Sequence, residues 1–237
     1  MLSIRRSEDR GKADFGWLQS RHTFSFGQYH DPEHEGFGPL RVINDDHVAP
    51  GGGFAPHGHR DMEIISYVLD GALAHSDSTG GGSVIRPGDV QRMTAGSGVR
   101  HSEFNDSKSD PVHFLQIWIE PADKGLEPSY EQVSIPQSEK RGHLRIIGTN
   151  QPEKFPYEEI VKIHQDVNLY AGFFDEKEEV TFEIGKDRAI WLHLAQGQVN
   201  VAGETLYSGD AIAITDIERV EIKNGRDAEV LLFDLPR

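Results

Sequence analysis

The sequence predicts an all-β protein built as sandwiches or barrels of short strands. Three observations lead there. Short runs of alternating residues, rich in β-branched and aromatic types, recur along the chain. Turn-forming residues bound most of them; the 237 residues include 25 glycines and 12 prolines. No long segment keeps a clean helical period, so helices cannot be the framework.

In chain order, the expected strands include Met62–Leu69 (MEIISYVL), Phe114–Ile119 (FLQIWI), Glu179–Ile184 (EVTFEI), Ala189–Leu194 (AIWLHL) and Glu229–Leu235 (EVLLFDL). The one helical candidate, Pro152 to His164, is worth one or two turns. A faint internal echo joins YVLDGALAHSDSTGGGSVIRPGDVQRMTAG to HLAQGQVNVAGETLYSGDAIAIT. Both read strand, Gly, strand, turn, strand, Gly-Asp, strand. Two β-domains on one plan would explain it, with the boundary in the polar stretch PQSEKRGH. The division expected is residues 1–140, carrying the chemistry, and residues 141–237, structural only.

Composition excludes several functions. With 24 basic and 39 acidic residues, the formal net charge is −15. Such a surface repels phosphate backbones, so no direct nucleic-acid contact is expected. There are no cysteines. Disulfides, thiolate catalysis, iron–sulfur clusters and cysteine-type zinc sites are therefore out. The N-terminal MLSIRRSEDRGKADFGW has no apolar run behind its charges, and no stretch approaches the ~20 apolar residues of a membrane span. A soluble, cytoplasmic protein without membrane contact is the expectation.

Chemistry concentrates in the first half. In GGGFAPHGHRDMEIISYVLDG, His57 and His59 stand at i and i+2, which places both side chains on one face of a strand, about 7 Å apart. Farther on, GSGVRHSEFN puts His101 and Glu103 at the same spacing, again after a glycine-rich turn. Two facing strands would then offer three imidazoles and one carboxylate to one divalent ion. One or two positions would stay open, as in a carboxylate-bearing relative of the facial triad of non-haem iron oxygenases. Iron is the metal expected; zinc, nickel, manganese, cobalt and copper accept the same donors. Gln116 is a candidate to hydrogen-bond a ligand histidine, though a lone polar strand residue more often faces water. His30, His34, His47, His75 and His113 lack a partner at ligand spacing and read as surface or loop residues. Asn44, Asp45 and Asp46 read as a turn or cap. Trp17, Phe24, Phe26 and Phe37 read as core or cavity-mouth residues.

These stretches carry a resemblance. Gly51, His57, His59 and Glu63, with Gly88, Gly96, His101 and Asn105, resemble the two cupin motifs. Thr94 stands where proline is usual, and Gly58 where proline is common between the histidines. More specifically, HTFSFGQYHDP, LRVINDD, GGGFAPHGHRDMEIISYVLDG, MTAGSGVRHSEFN and LQIWIEP resemble the pirin family and its bacterial quercetin-dioxygenase-like members. The resemblance reaches into the second half through KIHQDVNLY and LLFDLP. It implies a bicupin of two jelly-roll barrels packed against each other, with metal only in the first. It implies His57, His59, His101 and Glu103 as metal ligands, and leaves Glu63 outside them.

The resemblance also implies a reaction. A flavonol such as quercetin would be cleaved with dioxygen, releasing carbon monoxide, and Glu103 would accept the proton of the 3-hydroxyl as the catalytic residue. The other role it implies is regulatory: a metal site whose redox state governs a protein partner. A monomer is expected, because two barrels can cover each other's apolar faces.

Overall fold

Alternating residues settle as strands wherever one face can be buried. The computed structural model describes residues 1–237 and holds twenty strands, three single-turn 3-10 helices and no α-helix. The strands are β1 (Leu2–Arg5), β2 (Gly11–Asp14), β3 (Leu18–His22), β4 (Leu40–Val48), β5 (Gly53–His59), β6 (Glu63–Asp70), β7 (Leu73–Asp77), β8 (Gly82–Ile85), β9 (Asp89–Thr94) and β10 (Val99–Asn105). They continue with β11 (Val112–Ile119), β12 (Ser129–Ser134), β13 (Arg145–Thr149), β14 (Val161–Lys162), β15 (Asn168–Phe174), β16 (Val180–Glu183), β17 (Arg188–Val201), β18 (Glu204–Tyr207), β19 (Ala211–Ile214) and β20 (Arg219–Pro236). No helix is long and apolar enough to cross a membrane.

The chain forms two units. The first comprises Gly11–Ser134 and Val161–Gln165. Its sheets run β12-β9-β6-β11-β4-β3-β2 and β5-β10-β7-β8. Central in the larger sheet, β6 has seven of its eight residues buried, so its run EIISYVL is apolar on both faces save for Glu63 and Ser66. Leu18, Val48, Val68, Leu73, Ile85, Val112 and Phe114 form one apolar core, closed by Trp17 and Phe54. Burying each such side chain contributes about 1.5–3 kcal/mol.

The second unit comprises Met1–Arg10, Ile135–Ile160 and Asp166–Arg237. Its sheet runs β1-β19-β17-β20-β15-β13, with β16 on β20 and β18 on β17. Alternate residues of the two long strands, Ile190, Leu192 and Leu194 on β17 with Val230 and Leu232 on β20, supply its core.

The structure departs from the sequence-based expectation twice. Pro152 to His164 is not a helix: only Pro152–Lys154 makes a 3-10 turn, and Val161–Lys162 is strand. Pro156 explains this, because the residue before a proline is driven to extended backbone and Phe155 is extended, with φ −111° and ψ 150°. The units also differ from a single cut after residue 140. The first ends at Ser134, residues 1–10 belong to the second, and residues 161–165 belong to the first.

Candidate metal centre

β10 has the alternation needed to aim chemistry inward. Val99, His101, Glu103 and Asn105 are buried, whereas Arg100 and Phe104 are exposed. β5 pairs beside it, with His57 opposite His101 and His59 opposite Val99. The ladder shifts register between His101 and Glu103, so Glu103 stands opposite Phe54. Such a bulge re-aims side chains. Gly53 allows the close approach: a Cβ there would overlap the Glu103 carbonyl oxygen and the Phe104 ring.

Three imidazoles converge as a result. One ligand nitrogen each from His57, His59 and His101 lies within 4.8 Å of the other two. Ring centroids are 4.7 Å apart for His57–His59, 4.5 Å for His57–His101 and 4.8 Å for His59–His101. Hydrogen bonds set the tautomers. His57 Nδ1 donates to the Ala55 carbonyl at 2.8 Å, which leaves Nε2 with its lone pair. His75 Nε2 donates to Asp77 Oδ2 at 3.0 Å. The lone pair on His75 Nδ1 then faces His101 Nδ1 at 3.5 Å, so His101 carries its proton on Nδ1. His101 Nε2 is buried and has no partner in the protein.

Burial keeps His59 and His101 neutral. Desolvation, and then His57, lowers His59 to about 4. Desolvation, followed by the neighbouring imidazoles, lowers His101 to about 3. Neutral imidazoles with directed lone pairs are what a divalent ion requires, and the orphaned Nε2 of His101 is a donor waiting for one. The nitrogen and oxygen donors fit such an ion.

Glu103 is 1% exposed. Ser66 Oγ donates to its Oε1 at 3.0 Å and Gln116 Nε2 donates to its Oε2. Burial outweighs both bonds and pushes the carboxyl up to about 7 without a cation. Glu103 groups with His75 and His101, so His101 is shared between this trio and the three imidazoles. Gln116 in turn accepts from Trp118 Nε1 at 3.2 Å, which fixes its amide toward Glu103. Glu63 lies elsewhere: its Oε2 accepts from the His164 backbone at 3.2 Å and lies 3.1 Å from His164 Nδ1.

A cavity of about 870 Å³ opens beside the histidines. His57 and His59 form part of its wall, and Trp17, Phe26, Phe54 and Trp118 give it aromatic surface. The volume falls within the usual range for small-molecule sites. Opposite in character is a polar stripe of Ser20, His22, Asn44 and Asp46 from β3 and β4.

Three readings from sequence need correction. Asn44, Asp45 and Asp46 are not a turn or cap; they lie mid-strand in β4, with Asn44 and Asp46 on its inner face. A polar run reads locally as a turn, but pairing with β3 and β11 holds it extended. His75 is neither surface nor loop; it is 4% exposed on β7, and Glu103 is its cross-strand neighbour. The signal was present in His75-x-Asp77, a third i, i+2 pair. His113 and His47 are cross-strand partners. His113 Nε2 bonds Asp45 Oδ1 at 2.7 Å and the two rings stack at 3.8 Å, on the outer face of β4. His30 is exposed and His34 pairs with Asp31, as loop residues do.

Comparison with known proteins agrees along the whole chain. A family model described as Pirin matches residues 4–119, and one described as Quercetinase C-terminal cupin domain matches residues 155–235. A quercetin 2,3-dioxygenase of Escherichia coli K12 is 40% identical over 236 residues, covering 100% of this chain and 99% of that protein. The crystal structure of YhhW from Escherichia coli superposes with a TM-score of 0.93 at 39% identity, covering 100% of this chain and 98% of that one. A second structure, of bacterial pirin YhhW in complex with nickel(II), gives a TM-score of 0.92 at 39% identity and covers 100% and 99%.

Proposed function

The chain belongs to the pirin family, as a bicupin, and from that membership we propose that it is a metal-dependent dioxygenase of flavonols such as quercetin. The observation that carries the reading is the convergence of three imidazoles, with Glu103 held beside His101, at the wall of an aromatic cavity. His57, His59, His101 and Glu103 would hold one divalent ion. Nickel fits the donors as iron does, and a related pirin binds it. The ion would supply Lewis acidity to the 3-hydroxyl and neighbouring carbonyl of the flavonol, and a path for electrons to dioxygen.

The protein's own groups prepare that chemistry. His57 and His101 are locked in the tautomers that offer Nε2, by Ala55 and by the His75–Asp77 pair. Trp17, Phe54 and Trp118 would flank the flat substrate and exclude water. Glu103 would accept the 3-hydroxyl proton on a carboxylate oxygen, with Ser66 and Gln116 stabilising the charged form beforehand. Beside a cation a carboxylate is a weak base, and the transfer proceeds because the hydroxyl is acidified at the same site. Overall, one dioxygen would be consumed: the bonds from the third carbon to the second and to the fourth would both break, one oxygen atom would end on each of those two carbons, and the third carbon would leave with its own oxygen as carbon monoxide.

Oxygen uptake with quercetin tests the proposal, run against an anaerobic control and with the His57→Ala and Glu103→Ala variants alongside. Metal-loaded protein should consume oxygen and release carbon monoxide, and both variants should lose at least 100-fold, the scale of removing a proton acceptor or ligand. Undiminished turnover in both variants would discard the assignment.

A further inference from the structure

The cavity wall also contains acceptors that have no hydrogen-bond partner in the protein. Asn44 is 4% exposed and Asp46 is 2% exposed. Both line the cavity, and neither Asn44 Oδ1 nor Asp46 Oδ1 has a hydrogen-bond partner in the chain. They sit at i and i+2 on β4, so their side chains leave the same face about 7 Å apart. Leaving one such atom without a partner costs about 1–3 kcal/mol, and each has almost no accessible surface as the side chains stand, so a small rotation toward the cavity would gain it a partner. Nothing in the metal chemistry uses them.

We propose that Asn44 and Asp46 form a specificity subsite for hydroxyl groups on the rings of an aromatic ligand, apart from the oxygens that meet the ion. The inference rests on the flavonol reading and deepens it. Rotated toward an empty cavity, both acceptors can be satisfied by water. A ligand that displaces this water must bring O–H donors of its own, or it strands two buried acceptors. Discrimination between a hydroxylated and a bare ring is therefore built into the wall. It is stronger than an apolar pocket could achieve, because a site made for hydrogen bonds rejects the analogue that lacks them. The aromatic part of the wall fits the same ligand: Trp17, Phe26 and Phe54 offer ring surface, although Lys12 and Asp14 also line the cavity.

The test compares quercetin with 3-hydroxyflavone, which keeps the 3-hydroxyl and carbonyl and lacks every other hydroxyl. Binding to the metal-loaded protein is read without oxygen, by quenching of the Trp17 and Trp118 fluorescence. Quercetin should bind at least about tenfold more tightly. In Asn44→Leu and Asp46→Leu the ratio of the two dissociation constants should fall toward one, and Asp46→Asn, which keeps an acceptor oxygen, should restore most of it. Equal affinity of the unmodified protein for both compounds overturns the subsite while leaving the flavonol reading intact, and needs no variant to fold. A ratio unchanged in both leucine variants overturns it as well. Failure of both flavonols to bind overturns the functional reading and the subsite together.

Discussion

Replacing His75 with leucine would leave His101 Nδ1 facing no acceptor. The imidazole could then place its proton on either nitrogen, and its orientation would loosen. Groups that orient a ligand histidine typically set 10–100-fold of metal affinity. His75→Leu should therefore weaken binding by roughly that factor in a competition titration against a chromophoric chelator; unchanged affinity would mean His101 is oriented by packing alone. Asp46 gives a second expectation at this scale. Burial, with the nearby charges of Asp45 and Glu103, raises its carboxyl from 3.8 to about 7, with the nearby Ser20 hydroxyl opposing the shift. A carboxyl raised in the folded state binds its proton more tightly there than in the unfolded chain. That stabilisation is whole below about pH 4 and is lost as pH rises through 7. Asn cannot ionise, so in metal-free protein Asp46→Asn should gain on the parent as pH rises from 4 to 7, by on the order of 4 kcal/mol at most. Thermal melts of both proteins at pH 5 and pH 8 check it: an advantage no larger at pH 8 would refute the shift. At this scale the sequence was readable where side-chain direction follows period 2. His57, His59, His101 and Glu103 all lie at i, i+2 spacings, and the structure brings the three imidazoles together. His75 was missed because its role depends on which strand lies beside β10. Gln116 was undervalued because its partner Glu103 is thirteen residues away on another sheet.

Among the elements, the β5–β10 pair decides whether the histidines meet. Two glycines of β5 make the dependence measurable. Gly53 packs against the β10 backbone with no room for a methyl group, whereas at Gly58 the nearest atom to an added Cβ is the Val99 carbonyl oxygen at 3.7 Å. Gly53→Ala must push β5 away from the bulge that orients Glu103. It should cost about 1–3 kcal/mol in denaturant unfolding and weaken metal binding with it. Gly58→Ala meets only ordinary contact and should change stability by less than about 1 kcal/mol, with metal affinity retained. The reverse order of the two variants would show that the loop before β5, not the strand pair, sets the geometry. The glycine that matters here is thus the one before the histidines, although the sequence draws the eye to the one between them. Strands were legible as elements for the same reason the site was: alternation and turn residues are local. The expected Met62–Leu69 and Phe114–Ile119 fall on β6 and β11 within a residue or two. β4 was illegible because NDDH has the composition of a turn, and only its neighbours on both sides keep it straight.

Across the whole molecule, the two-unit plan was visible as an internal echo, but its exchange of segments was not. Nothing in MLSIRRSEDR says that it pairs more than two hundred residues away. Yet β1 runs antiparallel to β19, Leu2 opposite Ile214 and Arg5 opposite Ala211. Ile4 packs on the core of the second unit. Arg6 Nη1 bonds Asp210 Oδ2 at 2.7 Å, and the Ser7 backbone donates to Asp210 Oδ1 at 2.8 Å. Asp210 is a buried carboxylate whose guanidinium partner comes from the start of the chain. Removing residues 1–10 would take away that partner and bare the edge of β19. Breaking a buried pair from one side costs about 3–5 kcal/mol, and Arg6 is partly exposed, so the lower end is expected. The damage should fall on the second unit, not on the one that carries the histidine cluster and directly follows in sequence. Hydrogen exchange read by mass spectrometry separates the outcomes. Protection should drop in β19 and the paired half of β17, while β6 and β10 stay protected and the histidine cluster still takes up metal. Loss concentrated in β5 and β10 would instead mean that the first ten residues support the unit they precede, and the exchange of segments would carry no energetic weight.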